Sequence, residues 1–175
     1  MTELLAGCGS NRDKRVGLIG TEDEDEGWTK LITLDSNPDH HPDVIWDLND
    51  RPWPFEDDTF DEVHMYEVLE HLGRQGDAAA FFADFSEIWR VLVPDGILCA
   101  TVPSPHSPWV WGDPSHTRVI RPETLYFLAQ DSYDQVGRTA MSDFRNIYTA
   151  DFEPEWLNVD GVYFSFILRA KKESK

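Results

Sequence analysis

Two stretches of the chain end in residues suited to holding a nucleoside. Glu3-Leu4-Leu5-Ala6-Gly7-Cys8-Gly9-Ser10-Asn11 is a short apolar run that closes on Gly-x-Gly, and Leu31-Ile32-Thr33-Leu34-Asp35 is an apolar run that closes on an acid. Glycines at a strand exit let backbone N–H groups approach a ligand, because no Cβ stands in the way. A carboxylate at the end of the next strand accepts hydrogen bonds from both hydroxyls of a ribose. The pattern is weak by itself, since Arg12 holds the place of the third glycine in the fingerprint G-x-G-x-x-G.

A second concentration of reactive side chains lies in the loop 103–122, which contains His106, Trp109, Trp111, Asp113, His116 and Arg118. A histidine titrates near neutral pH and suits a general base. His116 is the first candidate, with Asp113 beside it and His106 and His71 as further ones. The same residues also read as a loop-locking hydrogen-bond motif. Asp113, His116 and His106 match no known zinc spacing, so no metal is expected. Trp109 and Trp111 either wall an acceptor pocket or pack the loop on the sheet. His40 and His41 read as polar loop.

The elements that must position these residues follow from hydrophobic period and turn chemistry. Strands are expected at the start of the chain, at Leu31–Asp35, Val44–Leu48, Phe60–Tyr66 and Ile97–Val102. Residues 12–30 carry three glycines, Gly17, Gly20 and Gly27, and the acidic run Glu22 to Glu26, which reads as a solvated loop in place of the first helix. Glu67 to Leu72 reads as a strand exit turning into a short helix. Asp77 caps a helix over Ala78–Val93, where Phe81, Phe82, Phe85, Ile88, Trp89 and Leu92 recur at helical spacing, and Pro94-Asp95-Gly96 stops it. Arg121-Pro122-Glu123-Thr124 opens a helix through about Gln130. Two last strands are expected near Asn146–Phe152 and Val162–Ala170, with a turn at Asp160-Gly161. The tail, 171–175, is expected to fray.

Composition bounds the rest. A chain of 175 residues that is 41% hydrophobic suits one globular domain. No apolar run spans a membrane, and strand material by residue 3 leaves no room for a signal peptide, so the expected location is cytoplasmic. Cys8 and Cys99 are expected as buried free thiols. The net charge of −18 argues against nucleic acid as a partner, which calls for basic patches.

With these residues laid out, the chain resembles the class I S-adenosylmethionine-dependent methyltransferases, in the compact group where a short loop replaces the first helix. The resemblance runs over about residues 3–130. Leu4-Leu5-Ala6-Gly7-Cys8-Gly9, Asp35, Asp47-Leu48 with Pro54 to Asp61, Glu67-Val68-Leu69-Glu70-His71-Leu72, and Glu87 to Gly96 carry it. It implies a single α/β domain over residues 1–175, with a Rossmann-like, doubly wound, mostly parallel seven-stranded sheet and an antiparallel C-terminal hairpin, and S-adenosylmethionine as the cofactor. Gly7, Cys8 and Gly9 would pass its methionine part, Asp35 with Ser36 would meet the ribose, Asp47 and Leu48 the adenine, and Glu67 the methionine end. His71 would anchor the helix. Leu5 stands where the family often has an acid, and Asn11 where it often has a glycine. A small-molecule acceptor is expected, in a site that admits completion by a second subunit of a homo-oligomer. A cofactor-binding protein without turnover is the competing reading, and a nicotinamide-dependent oxidoreductase is a third.

Overall fold

The computed structural model describes residues 1–17 and 27–173. The acidic run Glu22 to Glu26 lies outside the described residues. Seven strands form one sheet: β1 (Glu3–Ala6), β2 (Leu31–Asp35), β3 (Val44–Ile45), β4 (Phe60–Tyr66), β5 (Leu92–Pro103), β6 (Phe152–Val159) and β7 (Tyr163–Ala170). Their order is β3-β2-β1-β4-β5-β7-β6. All pairs are parallel except those of β7, which runs against both β5 and β6. The chain starts in the middle and winds outward first to one side, then to the other. The reversal falls between β1 and β4, where the carboxyl ends of the strands leave a crevice.

One face of the sheet is apolar. Leu4 and Ala6 of β1, Leu34 of β2, Val63 and Met65 of β4, Leu98, Ala100 and Val102 of β5, and Phe164, Phe166 and Leu168 of β7 share a single core with α1 (Ala78–Val91). The helix buries Phe82, Phe85, Ile88 and Val91 on its inner stripe. The Asp77 side chain accepts from the Ala80 N–H at 3.0 Å, a cap worth about 1 kcal/mol. The rest of this face is covered by residues 120–150, which contribute Ile120, Leu125, Leu128, Tyr148 and Ala150.

The opposite face is polar where it meets residues 12–17 and 27–30. Glu3, Glu62 and His64 are all buried there. The Lys14 ammonium lies 2.6 Å from Glu3 and 2.9 Å from Glu62, and His64 Nε2 lies 2.8 Å from Glu62 Oε2. Val16 and Trp28 supply the apolar part of the cover. No helix forms in these described residues, in line with the missing apolar stripe.

Several elements depart from the sequence reading. The third strand is confined to Val44–Ile45. Helix α1 stops at Val91, and Leu92 to Gly96 already belong to β5, irregularly paired with β4. Only Pro122–Leu125 is α-helical (α3) in the segment expected to run to Gln130; a 3-10 turn, Tyr126–Leu128, follows it. The last strand pair is Phe152–Val159 and Tyr163–Ala170. Residues 146–151 instead fold under the sheet, where Tyr148 donates to the Leu128 carbonyl at 3.1 Å. Glu153, Pro154 and Glu155 sit on an edge strand, where charge and proline block further pairing and mask the strand pattern. The tail is held as far as Lys172, whose ammonium donates to the Arg90 and Leu92 carbonyls at 3.2 and 2.5 Å. Cys8 and Cys99 are buried free thiols.

Candidate functional site

The crevice at the strand ends is an open cleft of about 340 Å³ lined by Gly7, Asp35, Ser36, Trp46, Asp47, Leu48, Asn49, Glu67, Val68, His71 and Leu72. That volume falls in the range of small-molecule sites, roughly 300–1,000 Å³. Six residues assigned from sequence, Gly7, Asp35, Ser36, Asp47, Leu48 and Glu67, meet there from four strand exits. Cys8 and Gly9 do not line it. Cys8 packs on the far side of the sheet with Leu5 and Tyr66.

The glycine turn works differently from the sequence expectation. Gly7 N–H and Cys8 N–H both donate to the Leu34 carbonyl, at 2.8 and 3.1 Å, and Gly9 N–H donates to Asp35 Oδ2 at 2.8 Å. These three donors therefore tie the turn to β2 and do not point at a ligand. Gly7 is needed for space: its φ is +68°, and a Cβ there would stand 2.5 Å from Val68 Cγ2. Arg12, in the place of the third glycine, bridges the Gly9 and His40 carbonyls at 2.5 and 2.7 Å.

Asp35 is nearly buried and well partnered. Besides Gly9, its Oδ1 accepts from Asn37 N–H at 2.8 Å and lies 3.2 Å from His40 Nδ1. Burial alone would raise its pKa, but the Asn37 and Gly9 N–H groups, with His40, hold it below the usual carboxylate value. A carboxylate has about four lone-pair positions. Three are engaged, so Asp35 has room for one ribose hydroxyl in this arrangement. His40, read from sequence as loop, is thus part of the site. Its signal was Asn37-Pro38, which caps the 3-10 turn Pro38–His40 and swings His40 back over the acid.

Asp47 and Leu48 form the opposite wall. Asp47 Oδ1 accepts from the Asn49 N–H and Nδ2 at 2.9 and 3.0 Å, which leaves Oδ2 toward solvent. The Trp46 ring is held by a 2.8 Å bond from Nε1 to the Asp50 carbonyl and faces the cleft. Trp46 and Asn49 were missed from sequence, although Trp46 directly precedes the assigned Asp47. Glu67 has φ +57° and carries a buried Oε1 without a hydrogen-bond partner. Burial raises its pKa against the pull of Thr101 and His116.

At the Glu67 end a cluster of titratable groups stands behind the wall. Glu70 and His71 lie on the 3-10 turn Leu69–His71 just after β4, and His116 lies in the loop after β5. The His71 and His116 rings meet edge to face, 4.8 Å between centroids. His71 lines the cleft and His116 sits one ring further back, so the residue expected to anchor a helix is nearer the cleft than the expected base. Glu70 is 2% exposed. Its burial pushes its pKa up to about 8, with Glu67 adding in the same direction. The Glu70 carbonyl accepts from Thr117 and Arg118 N–H at 2.9 and 3.2 Å, stitching the two segments together. Asp113 locks its own loop by accepting from Ser115 N–H and Oγ at 2.8 and 2.6 Å. His106 is not among these groups. Trp109 and Trp111 are both exposed, on α2 (Trp109–Gly112), and line neither the cleft nor the core.

Residues 32–100, from β2 into β5, match the family described as a methyltransferase domain. No curated protein matches the chain. A SAM-dependent methyltransferase from Archaeoglobus fulgidus is similar in structure over 96% of this chain and 85% of its own, with 18% identity and a TM-score of 0.59. The N-methyltransferase NodS from Bradyrhizobium japonicum, solved with S-adenosyl-L-homocysteine, is similar over 98% and 78%, with 14% identity and a TM-score of 0.54. The [4+2]-cyclase SpnF is similar over 97% and 75%, with 16% identity and a TM-score of 0.55. The strand order and these likenesses show the Rossmann-like fold that S-adenosylmethionine-dependent methyltransferases share. Within it, residues 32–100 are similar to the methyltransferase-domain family.

Proposed function

We propose that the protein binds S-adenosylmethionine in the cleft and transfers its methyl group to a small-molecule acceptor. The observation that carries this reading is the convergence of Gly7, Asp35, Ser36, Asp47, Leu48 and Glu67 on one crevice at the reversal of strand order. The residues fit the cofactor. Asp35 Oδ2 keeps a lone pair for a ribose hydroxyl, Trp46 and Leu48 offer apolar surface for a base, and the unpartnered Glu67 Oε1 awaits a polar or cationic group. When bound, S-adenosylmethionine supplies an activated methyl group on a sulfonium sulfur.

The chain's own contribution is positioning and exclusion of water. Val68, pressed against Gly7, fixes the floor of the cleft, and Glu67 sets its charged end. An oxygen or nitrogen acceptor that carries a proton also needs a base. His116 with Asp113 is the base this reading assigns, and His71 stands on the wall between them and the cleft. The charge of −18 disfavours a polyanionic acceptor and supports a small neutral or cationic one.

A second reading is cofactor binding without methyl transfer. It is favoured by the engaged state of Asp35, and by the [4+2]-cyclase, whose fold is shared and whose named reaction is different. Calorimetry with S-adenosylmethionine and S-adenosylhomocysteine, followed by mass spectrometry of a small-molecule acceptor panel, tests both. Binding with a mass gain of one methyl on an acceptor supports turnover; binding without it supports the second reading; no binding overturns both.

A further inference from the structure

Glu70 is a buried acid that does not line the cleft. It is 2% exposed, and neither carboxyl oxygen has a hydrogen-bond partner. A buried, unpartnered carboxyl group is costly. Two imidazole nitrogens face it. His116 Nε2 lies 3.9 Å and His71 Nε2 4.0 Å from Glu70 Oε1. Both distances are too long for hydrogen bonds. A fourth donor closes the group from the rim: Asp113 Oδ2 lies 3.9 Å from His116 Nε2.

We propose that Glu70, His71 and His116, with Asp113 at the rim, form a binding site for a divalent transition-metal ion of the zinc type. Their donor atoms gather around a gap of ionic size, all three first-named groups within 4.8 Å of one another. A tetrahedral zinc ion with bonds of about 2.0–2.1 Å sets its donors about 3.4 Å apart. The donors here, 3.9 and 4.0 Å apart for the two imidazole–carboxylate pairs and all within 4.8 Å, must close by about 0.5 to 1.4 Å, within reach of side-chain rotations. Two imidazoles and a carboxylate are the donor set of open, reactive zinc sites.

The surroundings support His71 and Asp113, while the buried His116 Nδ1 has no hydrogen-bond partner. His71 Nδ1 lies 3.2 Å from the Ser115 carbonyl. A carbonyl only accepts, so Nδ1 is the donor in this contact and Nε2 is the nitrogen left facing Glu70. Asp113 Oδ1 is engaged by Ser115, which leaves Oδ2 to face His116. The loop and the turn are pinned to each other by the bonds from Thr117 and Arg118 to the Glu70 carbonyl. The scaffold is therefore set before any ion enters.

The other cluster of acids and histidine makes the contrast clear. Glu3, Glu62 and His64 also bring donor atoms within 4.8 Å. There the Lys14 ammonium sits between the carboxylates, and His64 hydrogen-bonds Glu62, so a cation is already in place. Among the described residues no ammonium is in contact with Glu70, and the cationic influence on it is that of Arg118. The guanidinium of Arg118 turns instead to Asp84 and the Leu69 carbonyl.

Because His71 also lines the cleft, an ion held here would present an open coordination position toward the acceptor end. The site goes beyond the methyl-transfer reading and does not depend on it. The test is titration of the chelator-treated full chain with Zn²⁺, and separately with Co²⁺ as a spectroscopic probe. One equivalent should bind, with visible Co²⁺ bands of nitrogen and oxygen ligation. Affinity should fall by about 100-fold or more in Glu70→Gln and in His116→Asn, beyond the 10–100-fold typical of losing a supporting partner. Asp35→Ala, at the nucleoside end, should leave metal uptake unchanged even where it abolishes nucleoside binding. Unchanged Zn²⁺ affinity in folded Glu70→Gln and His116→Asn overturns the site. If either variant unfolds, X-ray absorption of the zinc-loaded wild type decides, and a first shell without two imidazoles overturns it.

Discussion

The backbone N–H of Gly9 donates to Asp35 Oδ2 at 2.8 Å, so the glycine turn and the acid after β2 are one hydrogen-bonded unit. The acid shapes the turn as well as facing the cleft. Asn37 and His40 engage its other oxygen, leaving about one lone pair for a ligand.

Asp35→Ala should therefore do two things. Loss of a charge-assisted bond to one hydroxyl, on the order of 1.5–3 kcal/mol, should weaken S-adenosylhomocysteine binding about 10- to 150-fold. Loss of the acceptor for Gly9 and Asn37 should also lower the unfolding midpoint. Wild-type calorimetry with adenosine and 2′-deoxyadenosine separates the effects without a mutation. Equal affinities for the two nucleosides, together with unchanged affinity in Asp35→Ala, would remove Asp35 from the ribose site.

Gly7 and Gly9 should fail in different ways. Gly9 has φ +53° with open space around a Cβ, so Gly9→Ala should cost about 1–2 kcal/mol of backbone strain and keep the fold. Gly7→Ala adds a clash at 2.5 Å with Val68, and overpacking of this kind costs about 1–3 kcal/mol more. Val68→Ala in the Gly7→Ala background should recover part of that loss. Urea denaturation of the three variants measures it; equal losses in Gly7→Ala and Gly9→Ala, with no recovery, would mean the contact carries no energy.

Acid stability should report on the polar face of the sheet. Burial would raise the Glu62 pKa, but hydrogen bonds from His64 and Lys14 hold it at about 2, against an ordinary value of 4.5. A depressed carboxylate contributes stability that is complete above 4.5 and lost as pH falls toward 2. The contribution is of order 3 kcal/mol at about 1.36 kcal/mol per pKa unit. His64, pushed below its ordinary 6.5 mainly by burial, adds a loss that begins nearer neutrality. Denaturant unfolding between pH 7 and 2 should show Glu62→Gln with a flatter decline than wild type in the acid interval. Parallel declines would place the proton uptake elsewhere.

Strands β1, β2, β4 and most of β5 were legible because buried parallel strands read as short apolar runs ending in turn residues. The cleft was legible for the same reason, since its residues sit at those run ends. The edge strand β6 was not, because Glu153, Pro154 and Glu155 suppress the strand pattern where pairing must stop. The roles of His40 and Glu70 were hidden for another reason. His40 acts through a capped turn that bends the chain back onto Asp35, and Glu70 acquires its neighbours from a loop 44 residues away, as the His71–Ser115 bond records. Spacing along the chain carries no trace of such meetings.

The loop that brings His116 to Glu70 is held by Arg118, and this dependence can be measured. Arg118 Nη1 lies 2.8 Å from the wholly buried Asp84 on α1, its Nε donates to the Leu69 carbonyl at 2.8 Å, and its guanidinium lies over Phe81. Asp84 also pairs with Arg51, whose side chain is 26% exposed and can turn to water when released. Arg118, only 4% exposed, cannot. Asp84→Leu should thus strand one buried cation and destabilise the fold by about 3–5 kcal/mol. Adding Arg118→Met removes the stranded charge while keeping the packing on Phe81, and should restore most of the loss. Chemical denaturation of the two single variants and the double variant gives the coupling energy. Additive losses, with the double variant as weak as the sum of the singles, would show that Asp84 and Arg118 stabilise the fold independently.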